Sequence, residues 1–264
     1  MNLRIEFFAQ LNAPIDTPAV LMVEVATSHQ APYSDLRLSP YVEAQPFLDM
    51  FGNPCRKLIL PAGETQVAYS ATVAVRNEPA SPTPDTDTDP MALAADILQY
   101  TLPSRYCQSD RFEATARDLF GSSRPGLARI QDICSWINRH IEYQYGTTNS
   151  STSAADTLLE RRGVCRDFAH LAITFCRALY IPARYVSGYC LGLETPDLHA
   201  YFEAFLGGRW RAFDATSPEP RQALVRIGTG LDAAMCAWLT AYGMASTTQM
   251  TVAVTEDSEG SLAA

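Results

Sequence analysis

The sequence predicts an α+β fold preceded by a small all-β unit. Three observations carry that prediction. Residues 1 to 78 hold short β-type runs separated by turn residues. In the stretch RRGVCRDFAHLAITFCRALYIPARYVSGY, residues 161 to 189, the positions Phe168, Leu171, Ala172, Phe175 and Leu179 repeat with helical spacing. After that helix the apolar period switches to two over three successive runs, which is an α+β pattern and not a βαβ one.

The β-type runs at the start are LRIEFFAQL, AVLMVEVAT, CRKLILPA and TQVAYSATVAV. Pro14, Pro32, Pro40, the Gly52-Asn53-Pro54 turn and Gly63 punctuate them, as in a small sandwich or open barrel. His29 falls between a strand and a proline turn and reads as an exposed loop residue. Residues 79–90 are rich in proline, aspartate and threonine, cannot pack a core, and read as a linker. The chain therefore divides into 1–78, the linker 79–90, and a unit over 91–264.

From residue 91 the texture is helical. MALAADILQY is short and apolar. Ser109-Asp110 can cap a helix that Gly121 closes. Pro125 opens the next, with Leu127, Ile130, Ile133, Cys134, Ile137 and Ile141 on one face. His140 falls in its last turn, where a cation suits the helix dipole. The polar run GTTNSSTS then reads as a lid or groove wall. Tyr143 and Tyr145 either face that groove or, more simply, pack beneath it. Ser153 or Ala154 starts a short helix that Gly163 ends. Beyond the Cys165 helix come IPARYVSGYCLG, HAYFEAFLGG and RWRAFDAT, with Gly207-Gly208 as a hairpin turn. The tail predicts a helix over DAAMCAWLTAYG and a strand over MTVAVTE.

Composition bounds the function. A net charge of −9 argues against nucleic acid and anionic membranes, which call for clustered Lys and Arg. No apolar run is long enough to span a bilayer, and the N-terminus lacks the pattern of a secretory signal. A cytoplasmic protein is expected. The seven cysteines are scattered, without metal-ligand spacing, so no metal and no cofactor are expected. Six of them read as small core residues.

Cys165 is different. It falls in the first turn of a helix, where backbone N–H groups point outward and the dipole is positive, conditions that favour a thiolate nucleophile. Such a nucleophile needs a base and an orienter for the base. His199 opens the strand before the Gly-Gly hairpin and Asp214 ends the strand after it. Antiparallel pairing makes them lateral neighbours. One imidazole nitrogen then meets the carboxylate and the other is left for Cys165. Singly, each residue has a structural alternative: a packed thiol, a hydrogen-bonded strand histidine, a turn aspartate. Together they point to cysteine-dependent acyl transfer on a peptide or protein amide. The expected oxyanion donors are the Cys165 N–H and, as a candidate, Tyr143. His170, five residues after Cys165, lies off its helical face and reads as polar packing.

On RRGVCRDFAHL, RALYIPARYVSGY, His199-Ala200-Tyr201 and Asp214-Ala215-Thr216, the chain resembles the bacterial transglutaminase-like superfamily, within the papain-like cysteine enzymes. The resemblance covers roughly residues 95 to 255, and the β-rich start is similar to the extra domain many members carry. It implies helices packed on an antiparallel sheet with a Cys–His–Asp triad in the cleft between them. Members often have tryptophan where Tyr201 stands and proline where Ala215 stands. Arg166 occupies the position of a tryptophan in the animal crosslinking enzymes, so hydrolysis and amine transfer both stay open. Two other readings stay open as well. One is a catalytically silent binding or assembly module. The other is an arylamine-type acyl-CoA acetyltransferase, for which only Arg161, Arg162 and Arg166 could meet phosphates.

Overall fold

In the computed structural model, which describes residues 1–75, 85–217, 219, 221 and 223–257, the chain forms three four-stranded antiparallel sheets and a helical layer. The N-terminal strands are β1 (Asn2–Ala13), β2 (Thr17–Leu21), β3 (Gln30–Ser39), β4 (Gln45–Leu48), β5 (Pro54–Leu60) and β6 (Gly63–Ala74). In β1 every second residue is buried, from Leu3 and Ile5 to Leu11 and Ala13, so strict period-two patterning sets its inner face. The helices are α1 (Ala95–Leu98), α2 (Glu113–Phe120), α3 (Leu127–His140), α4 (Ala154–Glu160) and α5 (Cys165–Ala178). The remaining strands are β7 (Glu142–Tyr143), β8 (Arg162–Gly163), β9 (Ala183–Cys190), β10 (His199–Leu206), β11 (Arg209–Phe213), β12 (Leu224–Gly230), β13 (Leu239–Ala241) and β14 (Ser246–Glu256).

The sheet orders are β14-β1-β6-β3, β13-β2-β5-β4 and β11-β10-β9-β12. The first two share one apolar cluster, which also takes in Tyr189, Val225 and Ile227 of the third. The third sheet contributes Tyr185, Ala200, Phe202, Ala204 and Leu206 to a second cluster built around α5. Within α5 every residue from Asp167 to Ala178 is buried, which makes it the central helix of that layer.

The two clusters are tied by polar bonds as well as packing. Tyr189 donates its hydroxyl to the Val23 carbonyl at 2.6 Å. The Asn53 side chain accepts from the Thr229 N–H and donates to the Thr229 carbonyl, both at 2.8 Å. Such pairs satisfy buried backbone groups that no strand neighbour reaches.

Several elements differ from the sequence expectation. β3, β4 and β12 are strands where no strand is predicted. The expected helix over DAAMCAWLTAYG is a 3-10 turn, Ala233–Met235, followed by β13, which pairs with β2. Its apolar residues are divided between the clusters, Cys236 to one and Trp238 to the other, so a single helical face could not bury them. β14 pairs along most of β1. Strands drawn from 91–264 thus complete both N-terminal sheets. His29 is half-buried, and its Nε2 accepts the Arg226 N–H at 2.9 Å instead of facing solvent. Of the expected linker, residues 79–84 lie outside the described residues. The part that follows is anchored by charge: Asp85 pairs with Arg209 and Arg211, and Asp87 with Arg129.

Candidate active site

The start of α5 is built by local chemistry. Asp167, fully buried at the third helical position, accepts the Val164 N–H through Oδ2 at 2.9 Å. That is half of a capping box, and it fixes where the helix begins. Gly163 makes it possible, because a Cβ there would lie 2.7 Å from the Asp167 Cβ. The preceding helix ends earlier than expected, with Arg161 in the left-handed conformation at φ 57°. Cys165 is thus the first residue of α5, half-exposed at the floor of a cleft.

The hairpin supplies the other two residues. β10 and β11 are joined by Gly207-Gly208, both at positive φ as a two-residue turn requires. The register pairs Phe202 with Phe213, so continuing it by one residue sets Asp214 opposite Tyr201 and diagonal to His199. His199 Nε2 meets Asp214 Oδ2 at 2.7 Å. The other ring nitrogen is left for Cys165, which lines the same cleft and favours the charged imidazolium. Tyr201 stacks on the His199 ring with centroids 6.4 Å apart. The structure therefore brings Cys165, His199 and Asp214 together.

The electrostatics follow from these contacts. Burial pushes the His199 imidazolium toward losing its proton, but Asp214 and Cys165 outweigh it and raise its pKa to about 9. Burial likewise opposes the Asp214 charge, and His199 and Thr216 overcome it, holding the carboxyl at about 2. Asp214 Oδ1 accepts the Thr216 N–H at 2.9 Å and its hydroxyl at 2.7 Å.

The cleft has a volume of about 590 Å³. Tyr143 and Tyr145 line it, so they face the groove and are not packed beneath it. The Tyr143 hydroxyl shares the cleft with Cys165 and donates to Tyr145 Oη at 3.3 Å. Burial, and then the nearby Cys165 charge, keep it protonated and therefore able to donate. The expected groove wall is elsewhere: Gly192, Leu193, Glu194, Thr195, Asp197 and Leu198 line the cleft, and 146–153 does not. Arg166 explains this, since its guanidinium holds the Asn149 and Thr152 carbonyls and docks that loop against α5. Arg221, which sequence reasoning passed over, donates through Nε to Asp214 Oδ2 at 2.9 Å. Its only sequence signal is an arginine seven residues beyond the aspartate, which spacing alone does not single out.

The other candidates take structural places. His170 is fully buried between the Tyr106 and Tyr185 rings, and its Nε2 accepts the Ala233 N–H at 3.1 Å. His140 bonds the Trp136 carbonyl in the last turn of α3 at 2.7 Å. All seven cysteines are free. Burial raises Cys55, Cys107 and Cys190 to about 11. Among the described residues no cluster could hold a metal ion, and no helix is long and apolar enough to cross a membrane.

Comparison with known proteins places the fold. Residues 113–215 match the transglutaminase-like superfamily core. A protein of Mycobacterium leprae, described as uncharacterized, is 27% identical over 206 residues, which span 73% of this chain and 74% of that one. The Homo sapiens kyphoscoliosis peptidase is 29% identical over 111 residues, 38% of this chain and 17% of that protein. A crystal structure described as "a Putative Cysteine Protease from Cytophaga hutchinsonii" superposes with a TM-score of 0.89 at 36% identity, covering 97% of this chain and 90% of that one. With that coverage, and with the core motif bracketing the helix, the hairpin and the cleft between them, the chain belongs to the transglutaminase-like superfamily.

Proposed function

We propose that this protein catalyses cysteine-dependent acyl transfer on a peptide or protein amide, with Cys165, His199 and Asp214 as its triad. The observation that carries the reading is the buried His199–Asp214 bond beside Cys165 at a helix start in an open cleft. Cys165 Sγ, its proton taken by His199, attacks the amide carbonyl. The carbon–sulfur bond forms and the carbonyl electrons move to oxygen. As the tetrahedral intermediate collapses, His199 returns the proton to the leaving amine and a thioester remains. His199 then takes a proton from the acceptor, which attacks the thioester and regenerates the thiol. Asp214 holds the imidazole tautomer and stabilises its cation. The Cys165 N–H and the Tyr143 hydroxyl are the proposed donors to the oxyanion.

Water as acceptor makes the protein a peptidase or amidase, and the description and name of two relatives favour that outcome. An amine would make it a transglutaminase. The acyl-CoA reading is disfavoured by the arginines it requires. Arg166 is held by Asp167 at 3.0 Å and by the Asn149 and Thr152 carbonyls, Arg161 lies over the Trp136 ring, and Arg162 lies 3.5 Å from Glu160, so each of the three already has a partner. A silent binding module would not need an intact His199–Asp214 pair. A cytoplasmic location is part of the same proposal, and cell fractionation tests it.

The test of the triad is labelling by a thiol-directed electrophile. Wild type and Cys176→Ala label at one site, whereas Cys165→Ala does not. Equal labelling of the Cys165→Ala protein would overturn the proposal. A peptide and amine library run against wild type and Cys165→Ala then separates hydrolysis from amine incorporation.

A further inference from the structure

We propose that Arg221 is a positioning residue of this site, fixing the Asp214 carboxylate and lowering the proton affinity of His199 through it. The proposal rests on the triad reading above and adds a fourth member to it. Asp214 Oδ2 accepts two donors, His199 Nε2 at 2.7 Å and Arg221 Nε at 2.9 Å. Oδ1 accepts two more from Thr216. Four donors leave the carboxylate no freedom to rotate away from the imidazole. Its side chain is 2% exposed, that of His199 3% and that of Arg221 25%, so the guanidinium is the point at which the buried pair meets the cleft.

Charge balance gives Arg221 a role distinct from that of Thr216. With thiolate and imidazolium formed, Cys165 and Asp214 carry two negative charges, and His199 and Arg221 carry two positive ones. In the thioester stage Cys165 and His199 are both neutral, and Asp214 would be a lone buried anion without Arg221. Burying an uncompensated carboxylate is costly, and the usual relief is protonation. The permanently charged guanidinium removes that need at every stage. It also opposes the imidazolium, because two cations share one carboxylate oxygen. His199 thus gives up its proton to a leaving amine more readily than it would beside Asp214 alone.

The groups that act on this unit come from every surrounding element. Cys165 of α5 and Asp197 of the cleft loop act on His199. Cys134 of α3 and Cys190 of β9 face Asp214. Burial raises the Cys134 thiol above its ordinary range, and it raises Cys190 to about 11, so both stay neutral across the range of interest. Arg211 of β11 and Glu219 line the pocket beside Asp214 and Arg221, and Arg211 is paired with Asp85; among the described residues, Arg221 is therefore the cation besides His199 that is ion-paired with Asp214.

The test needs no identified substrate. The His199 imidazole is titrated by NMR in the Cys165→Ala protein with Arg221, Arg221→Leu or Arg221→Lys. Arg221→Leu should raise the imidazole pKa by about one unit, the effect of losing a nearby cation, and Arg221→Lys should restore much of it. In the protein with Cys165 intact, iodoacetamide alkylation of Cys165 should show its alkaline inflection moved by the same amount, after correction for active sites. A purely structural role would lower the melting temperature or the fraction of active sites and leave both titrations in place. Unchanged titrations in Arg221→Leu overturn the proposal. Failure of Cys165 labelling would remove the acyl-transfer reading, but the imidazole titration would still decide the role of Arg221.

Discussion

The two ends of α5 meet opposite requirements. At its start Cys165 has no side-chain cap of its own and opens into a cleft that holds His199 and Tyr143. At its finish Arg177, 1% exposed, is saturated. Its guanidinium bonds the Ala183 carbonyl twice, at 3.0 and 2.8 Å, the Leu102 carbonyl and Ser104 Oγ at 3.1 Å, and the Leu231 carbonyl at 2.7 Å. A cation there also suits the negative end of the helix dipole. The difference teaches that one helix can separate stability from chemistry. Reactive groups need partners still to be found, whereas buried structural groups need every partner already in place. The two buried histidines repeat the lesson. His199 has a carboxylate and is held protonated up to about 9. His170, in the middle of α5, is pushed well below its ordinary value by burial, then by Arg166 and Arg177.

Substitutions at the two ends should separate cleanly. Cys165→Ala is expected to lose roughly 10⁴-fold or more in amide turnover, with the melting temperature close to wild type. Loss of stability without loss of turnover would erase the contrast. Arg177→Leu should do the reverse. It strips three carbonyls of their donor and should cost about 3 kcal/mol in urea unfolding, while turnover per active site stays unchanged. Tyr143→Phe sharpens the picture at the reactive end. If Tyr143 is the oxyanion donor proposed above, its loss should lower kcat roughly 100-fold with little change in KM, and a pure KM effect would assign Tyr143 to substrate binding.

The smallest expected effect is in stability against pH. His199 carries a pKa of about 9 in the folded protein against an ordinary value of about 6.5. Its stabilising contribution is fully present below about 6.5 and is lost as pH rises through about 9. Asp214 is held at about 2 against an ordinary value of about 3.9. Its contribution is present above about 4 and is lost as pH falls through about 2. The gap in melting temperature between wild type and His199→Gln should therefore be level between about pH 4 and 6.5 and shrink between about 6.5 and 9. A gap that widens with alkalinity would reverse the sign of the pairing.

Much of this architecture was legible in the chain because it is local. The α5 register, the alternation in β1, the Gly207-Gly208 turn and the position of Cys165 at a helix start each follow from residues close in sequence. The His199–Asp214 pairing was also legible, because a two-residue hairpin fixes its register. What proximity in sequence could not supply was left to tertiary structure. Leu239–Ala241 became a strand because β2 offered an open edge. His29 became an acceptor because the Arg226 N–H, 197 residues away, lies against it. Tyr143, paired in register with Gly163 just before α5, came to line the cleft together with Tyr145. Arg221 joined Asp214 and Arg177 gathered its carbonyls through contacts that no period encodes. By itself the sequence determined the fold class and the three residues that meet at the cleft, since periodicity and turn chemistry act over a few residues. Only the tertiary structure decided which charges surround those residues, because burial and ion pairing depend on segments that meet through the whole fold.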